Sequence, residues 1–233
     1  MTVLQVNEVF RSFQGEGPSV GQAAVFLRLA NCNLTCSWCD TRYSWDWAAF
    51  DPEDERHEIE ASELTAQLIA ELQDVRLLVV TGGEPLLQQP ALSELVLLMR
   101  QYMPNLRVEI ETNGTVTPAP HLADMVDLFV ISPKLSHSSV AKKRRVRPQA
   151  LASFPLNRSV LKFVVTGIND LAEVAEIRSI AGVPPQQTWI MPEGTTSDAV
   201  ADGLRMLSEP AVRLGYNVSP RLHILVWGNS RGT

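Results

Sequence analysis

Cysteine is scarce in this chain of 233 residues: there are three, all between positions 32 and 39. A disulfide scaffold spreads an even number of cysteines along its chain, so a metal or redox site is the better reading. Long apolar runs are missing as well. No stretch approaches the ~20 apolar residues that a membrane-spanning helix needs. The opening Met1-Thr2-Val3-Leu4-Gln5-Val6-Asn7-Glu8 has neither the basic start nor the apolar core of a secretory signal, and the cytoplasm is the expected compartment. An excess of positive charge is also absent. The net charge of −6 argues against a large nucleic-acid footprint. Repeats and low-complexity linkers are lacking too, so residues 1–233 are read as one domain.

What is present is the balance of an ordinary globular protein, 45% hydrophobic and 20% charged. One basic run, Lys142-Lys143-Arg144-Arg145-Val146-Arg147, goes against the acidic total. It reads as a solvated loop; direct tRNA binding is the alternative, which the overall charge disfavours.

Strand-like and helix-like segments alternate. Strands are expected at Ala24–Leu29, Arg76–Thr81, Leu106–Glu111, Leu128–Ile131, Val160–Val165 and Thr188–Met191, with a last one around Leu222–Val226. Helices are expected at Ser62–Gln73, with Ser62 as its cap, and at Leu92–Met103, Asp170–Ile180 and Asp198–Leu214. This alternation implies a mainly parallel sheet covered by helices. The cysteines, Gly82-Gly83-Glu84-Pro85, Thr112-Asn113-Gly114, Ser132-Pro133-Lys134 and the Met191–Gly194 segment each follow a strand. Ligands gather at the C-terminal strand ends of α/β folds, open or closed, so one face is expected to collect the chemistry.

The cysteines are spaced Cys32-x3-Cys36-x2-Cys39. Three thiolates on one short loop can hold three irons of a cubane cluster, and with no fourth cysteine one iron stays open to an exogenous ligand. Structural zinc would want four closed ligands, and the next candidate, His57, lies eighteen residues beyond Cys39 in a polar stretch. A dithiol at Cys36-Ser37-Trp38-Cys39 leaves Cys32 without a role. Three inert buried cysteines are the remaining alternative.

This motif, with an aromatic residue just before its last cysteine, resembles the cluster loop of the radical S-adenosylmethionine (SAM) superfamily. Thr81-Gly82-Gly83-Glu84-Pro85 is similar to the superfamily's contact for the methionyl amine, where glycines allow close backbone approach. Asn7 to Gly17, with Phe13-Gln14-Gly15-Glu16-Gly17 at its end, Cys39-Asp40-Thr41, Ser132-Pro133-Lys134 and Arg221-Leu222-His223 together resemble the 7-carboxy-7-deazaguanine synthase family, from residue 7 to about residue 225. The resemblance implies a single-domain partial (β/α) barrel binding a [4Fe–4S] cluster, SAM and Mg2+. It implies ring contraction of 6-carboxy-5,6,7,8-tetrahydropterin with loss of ammonia, in the queuosine and deazapurine pathway. It also implies an electron donor such as flavodoxin or ferredoxin, and a homodimer.

Residue by residue, the resemblance makes Cys32, Cys36 and Cys39 the cluster ligands and Thr41 the Mg2+ ligand, unless Thr41 merely caps the next turn. Trp38, Cys39, Asp40 and Gly83 match SAM contacts, as do Ser132, Pro133 and Lys134. Trp38 could instead be core, and Ser132-Pro133 a plain turn start. Met191, Pro192, Glu193 and Gly194 occupy the place of a late adenosyl-contacting loop. Phe13, Gln14 and Gly15 match the substrate turn, or form an ordinary hairpin turn; a glutamine amide can read the donor–acceptor edge of a pterin. Thr81 matches another substrate contact. Arg28, inside an apolar strand, suits bidentate pairing with the substrate carboxylate, or a structural ion pair. Glu109 and Glu111 share one side of their strand by its two-residue period; Glu111, nearer the end, is a candidate for the substrate amine or for structural use.

Rival readings are a glycyl-radical activase and a non-catalytic iron–sulfur or zinc module. Many relatives end near the segment matching His223–Leu225, and their last residue touches substrate. Here Val226 to Thr233 continue, so that contact is not carried over. This tail is expected either to fold back over the pocket, with Trp227 shielding the pterin and Asn229 or the backbone replacing the lost contact, or to fray.

Overall fold

The computed structural model describes residues 2–233. Its strands are β1 (Val3–Phe13), β2 (Ala23–Leu29), β3 (His57–Glu60), β4 (Leu77–Gly82), β5 (Arg107–Thr112), β6 (Leu128–Ile131), β7 (Ser159–Val165), β8 (Thr188–Pro192) and β9 (Asn217–Val218). The helices are α1 (Pro52–Glu55), α2 (Ala61–Leu72), α3 (Gln89–Tyr102), α4 (Pro120–Met125), α5 (Lys142–Arg145), α6 (Pro148–Leu151), α7 (Leu171–Ala181), α8 (Ser197–Leu214) and α9 (Leu222–Trp227). Among the described residues no helix is long and apolar enough to cross a membrane.

The strands form one sheet in the order β3-β1-β2-β4-β5-β6-β7-β8-β9. From β2 onward every pairing is parallel, while β1 runs antiparallel to both β2 and β3. Both edges stay unpaired in the sheet order, which makes this a partial (β/α) barrel rather than a closed one.

Side-chain alternation along the strands separates packing from chemistry. Val25, Leu27, Leu29, Leu78, Val80, Val108, Ile110, Phe129, Ile131, Leu161 and Phe163 turn to the face that the main helices cover, in one continuous core. Their neighbours in sequence, Phe26, Arg28, Thr81, Glu111 and Lys162, turn inward to a cavity of about 350 Å³ above the C-terminal strand ends. A polar residue at an alternate strand position therefore lands inside.

Four expectations need correction. Leu222–Val226 is not a strand but lies in α9, because the free edge of β8 is already taken by Asn217 and Val218. Short apolar runs do not distinguish the two periods. Ser62 does not cap α2: β3 runs straight into the helix, Glu60 stands at the cap position, and the Ala61 N–H is satisfied by the Thr2 carbonyl at 3.1 Å. The antiparallel strands β1 and β3 are additional to the strands expected from sequence. The basic run is not a fully solvated loop, since Arg145 is buried. It pairs with Glu173 at 2.6 Å and donates to the carbonyls of Val140 and Lys134 at 3.0 and 2.9 Å.

Candidate active site

The cysteine loop leaves β2 through Asn31, which adopts φ +75°, a left-handed conformation that asparagine tolerates better than most residues. The loop is pinned by the one that follows β4. Gly83 N–H donates to the Leu29 carbonyl at 3.0 Å, and Glu84 N–H to the Asn31 carbonyl at 2.9 Å. A Cβ at Gly82 would meet the Leu29 oxygen at 2.1 Å, and one at Gly83 the Asn31 oxygen at 2.0 Å, so this contact requires both glycines. Glu84 is fully buried and accepts from the Thr112 hydroxyl and the Asn113 N–H, both at 2.7 Å. Asn113 in turn donates to the Asn33 side chain at 2.9 Å. Three strand-end motifs are thus tied into one scaffold around the cysteines.

Cys32, Cys36 and Cys39 all face the cavity. Cys39 Sγ accepts from the Trp45 indole at 3.2 Å, and Cys32 Sγ from the Leu34 N–H at 3.4 Å, contacts that suit anionic sulfur. Burial pushes the Cys32 thiol up to about 11 and raises that of Cys36, so iron binding must displace their protons. Among the described residues, the three sulfurs are not drawn together around one ion position. Three thiols on one loop facing a cavity fit an iron–sulfur cluster with an open corner.

Around the cysteines lie most of the residues expected to bind SAM. Trp38 stacks on His137 with ring centroids 5.5 Å apart, Lys134 Nζ sits 5.4 Å above its ring, and the buried indole N–H lacks a protein partner among the described residues. Gly83, Asp40, Ser132, Lys134, Met191 and Glu193 reach the cavity. Pro133, Pro192 and Gly194 do not line it. Pro192 packs against Gly203 of α8, where a Cβ would meet it at 2.4 Å, and the Gly194 carbonyl accepts from Arg221 at 2.8 Å. Thr41 Oγ1 lies 3.6 Å from Cys39 Sγ and makes no capping bond, leaving its hydroxyl available for a cation.

The same cavity carries a polar wall. Arg28 Nε donates to Glu8 Oε1 at 2.7 Å, and the guanidinium lies 5.6 Å from the Phe10 ring centroid and 5.8 Å from that of Tyr43. Its terminal nitrogens make no hydrogen bond to protein among the described residues, so the ion pair and a carboxylate contact are compatible. Burial pushes Tyr43 up to about 12, which keeps its phenol neutral. Phe13 ends β1 opposite Ala23 and Gln14-Gly15 open the loop to β2, and all three residues line the cavity. Gln14 donates to Glu111 Oε1 at 3.3 Å and Thr81 to Glu111 Oε2 at 2.9 Å.

Several residues of this wall carry no site expectation from the sequence. Lys162 pairs with Glu16 at 2.6 Å and Glu111 at 3.1 Å, and Arg221 bridges Glu16 and Asp40. His223 covers Gly15, where a Cβ would meet its ring at 2.1 Å; burial lowers its pKa and keeps the ring neutral. A signal for Lys162 existed: like Arg28, it is a lone cation within an apolar strand. The tail folds back. Trp227 stacks on Phe13 at 4.5 Å and reaches the cavity only through that ring, while Asn229 and Arg231 line it directly. Arg231 pairs with Glu8 at 3.1 Å and Glu55 at 2.7 Å, and lies 4.1 Å from the Tyr43 ring centroid.

Comparison with known proteins agrees with this geometry. The Radical SAM superfamily model matches residues 28–152. The 7-carboxy-7-deazaguanine synthase of Pyrobaculum aerophilum is 40% identical over 230 residues, covering 98% of this chain and 97% of the relative. That of Hyperthermus butylicus is 37% identical, covering 97% and 93%, and that of Bacillus subtilis 31%, covering 98% of each. The crystal structure of QueE from Escherichia coli shares the fold, with a TM-score of 0.70 at 24% identity over 93% of both chains. The chain belongs to the radical SAM superfamily and, within it, to the 7-carboxy-7-deazaguanine synthase family.

Proposed function

We propose that this protein is a radical SAM lyase that contracts the ring of 6-carboxy-5,6,7,8-tetrahydropterin to 7-carboxy-7-deazaguanine, releasing ammonia, in queuosine and deazapurine biosynthesis. The observation that carries the reading is one cavity that collects the three cysteines, Arg28 with its Nε paired to Glu8, and the polar side chains of Gln14, Thr81 and Glu111. When bound, the cluster and SAM would together supply one-electron cleavage chemistry and a hydrogen abstraction at C6 of the substrate.

The chain's own residues bind and orient. Cys32, Cys36 and Cys39 hold the cluster. Gly83 lets the SAM amine approach backbone carbonyls, while Trp38, Asp40, Ser132, Lys134, Met191 and Glu193 surround the rest of that ligand. Arg28 offers its terminal nitrogens to the substrate carboxylate. Gln14, Gly15, Thr81 and Glu111 present donors and acceptors to the bicyclic edge, and Phe13 packs its plane. Thr41 would offer its hydroxyl to Mg2+, a cation that takes oxygen ligands. A protein donor such as flavodoxin or ferredoxin delivers the electron, and the chain works as a homodimer in the cytoplasm.

The test is anaerobic reconstitution followed by incubation with SAM, a reductant, Mg2+ and the carboxytetrahydropterin. Mass spectrometry should detect 7-carboxy-7-deazaguanine. Cleavage of SAM without any pterin product would point to another radical enzyme, and no cleavage at all to a non-catalytic module.

A further inference from the structure

Lys162 is the one cation in the strand Ser159-Val160-Leu161-Lys162-Phe163-Val164-Val165, and its side chain is 5% exposed. An ammonium at that depth is costly unless carboxylates meet it. Two do so from separate parts of the chain: Glu16 Oε2 at 2.6 Å, from the loop after β1, and Glu111 Oε1 at 3.1 Å, from the end of β5. The second oxygen of each is also held. Glu16 Oε1 accepts from Arg221 Nε at 3.2 Å, and Glu111 Oε2 from the Thr81 hydroxyl at 2.9 Å. Both carboxylates and the ammonium line the cavity.

We propose that Lys162 is a positioning residue whose ammonium clamps the Glu16 and Glu111 carboxylates on the cavity wall, where they accept from the N–H donors of the substrate's aminopyrimidinone edge. This inference rests on the pterin reading and deepens it. That edge carries a ring N–H and an exocyclic amine, so two fixed anionic acceptors complement it. A protonated carboxyl would set donor against donor.

The surroundings leave Lys162 without a substitute. Burial alone would raise the Glu16 carboxyl, but the charges of Lys162 and then Arg221 outweigh it and hold the group well below the usual range. Burial would likewise lower Lys162, and Glu111 and Glu16 outweigh it. Arg221 is already committed to Asp40 and to the Gly194 carbonyl. Glu109, two residues before Glu111 on β5, is bonded to Ser19 and paired with Arg107, and burial raises its carboxyl. Gln14 and Thr81 are neutral, and burial keeps the His223 ring so. Without Lys162, two carboxylates would face each other with too little positive charge, and one would take up a proton.

The test follows equilibrium binding of 6-carboxy-5,6,7,8-tetrahydropterin to the reconstituted holoenzyme with SAM, from about pH 8.5 down to about pH 5.5. Lys162→Met keeps the length of the side chain and removes its charge; Lys162→Arg keeps the charge. The Met variant should bind about tenfold or more weakly at pH 8. Its affinity should fall further towards low pH, because a carboxylate whose pKa has risen loses its acceptor role as pH drops through that value. The Arg variant should keep the shallow wild-type profile, and Lys162→Met/Glu16→Gln should lose the acid limb. A merely structural lysine would lower thermal stability and leave the pH profile parallel to wild type; that result in the Met variant overturns the proposal. Should the Met variant fail to fold, an acid limb in the Arg variant overturns it instead. Wild-type protein that does not bind the pterin would defeat the functional reading rather than this inference.

Discussion

Replacing Arg28 by alanine separates its two partners, the internal Glu8 and the substrate carboxylate. The first loss is one of stability. The Arg28–Glu8 pair is largely buried, with side chains 13% and 16% exposed. Orphaning such a charge outright costs ~3–5 kcal/mol. Glu8 is not orphaned, however, because Arg231 at 3.1 Å and the Tyr43 hydroxyl at 3.2 Å remain. The expected cost is therefore only about 1–2 kcal/mol, a fall in Tm of about 2–8 °C for a chain of this size. The second loss is one of binding. Removing one partner of a desolvated, hydrogen-bonded charge pair costs about 2–5 kcal/mol, a rise in pterin Kd of roughly 30-fold to several thousandfold. Arg28→Lys should fall between, since it keeps the charge and loses the fork. Anaerobic pterin titration read beside a thermal melt separates the two losses. A lowered Tm with unchanged pterin affinity would refute the carboxylate contact and leave Arg28 as a structural ion pair.

Three further outcomes follow from the site. Reconstituted protein should carry close to about four irons and four sulfides per chain, and alanine at Cys32, Cys36 or Cys39 should abolish SAM cleavage because no spare thiolate exists; full cleavage in any of these variants removes the cluster assignment. Thr41→Ala should reduce the Mg2+ stimulation of turnover more than it reduces iron content, and equal stimulation would take the ion away from Thr41. Deleting residues 227–233 removes the Trp227–Phe13 stack and the Arg231 clasp on Glu8 and Glu55. The pterin KM should then rise about tenfold or more, ~1.4 kcal/mol; unaltered kinetics would make the tail dispensable.

The parallel half of the fold was legible because strands buried on both faces read as short apolar runs, as in Leu77–Gly82 and Leu128–Ile131, with helix periodicity between them. The same rule misled at Leu222–Trp227, an apolar run that folds as one and a half turns of helix once Asn217 and Val218 have filled the sheet edge. β1 and β3 were hidden because neither carries a clean two-residue period: Val3–Phe13 spaces its apolar residues irregularly, and His57–Glu60 has only Ile59. At the site, the cysteine spacing carried its chemistry locally, and the paired glycines announced a close backbone approach. Glu16, Arg221 and His223 were not assigned, because their meeting depends on a contact about 200 residues apart in sequence, such as Arg221 with Glu16. Arg145 looked like one more solvated charge, and only its partner Glu173 and two loop carbonyls mark it as structural.

The most direct test of the central claim is isotope transfer from substrate carrying deuterium at C6. The reconstituted enzyme, given this pterin, unlabelled SAM and reductant, should form 7-carboxy-7-deazaguanine and return SAM enriched in deuterium at its 5′ carbon. Product formed with no deuterium in the recovered SAM would contradict the proposed hydrogen abstraction, and no product at all would contradict the ring contraction.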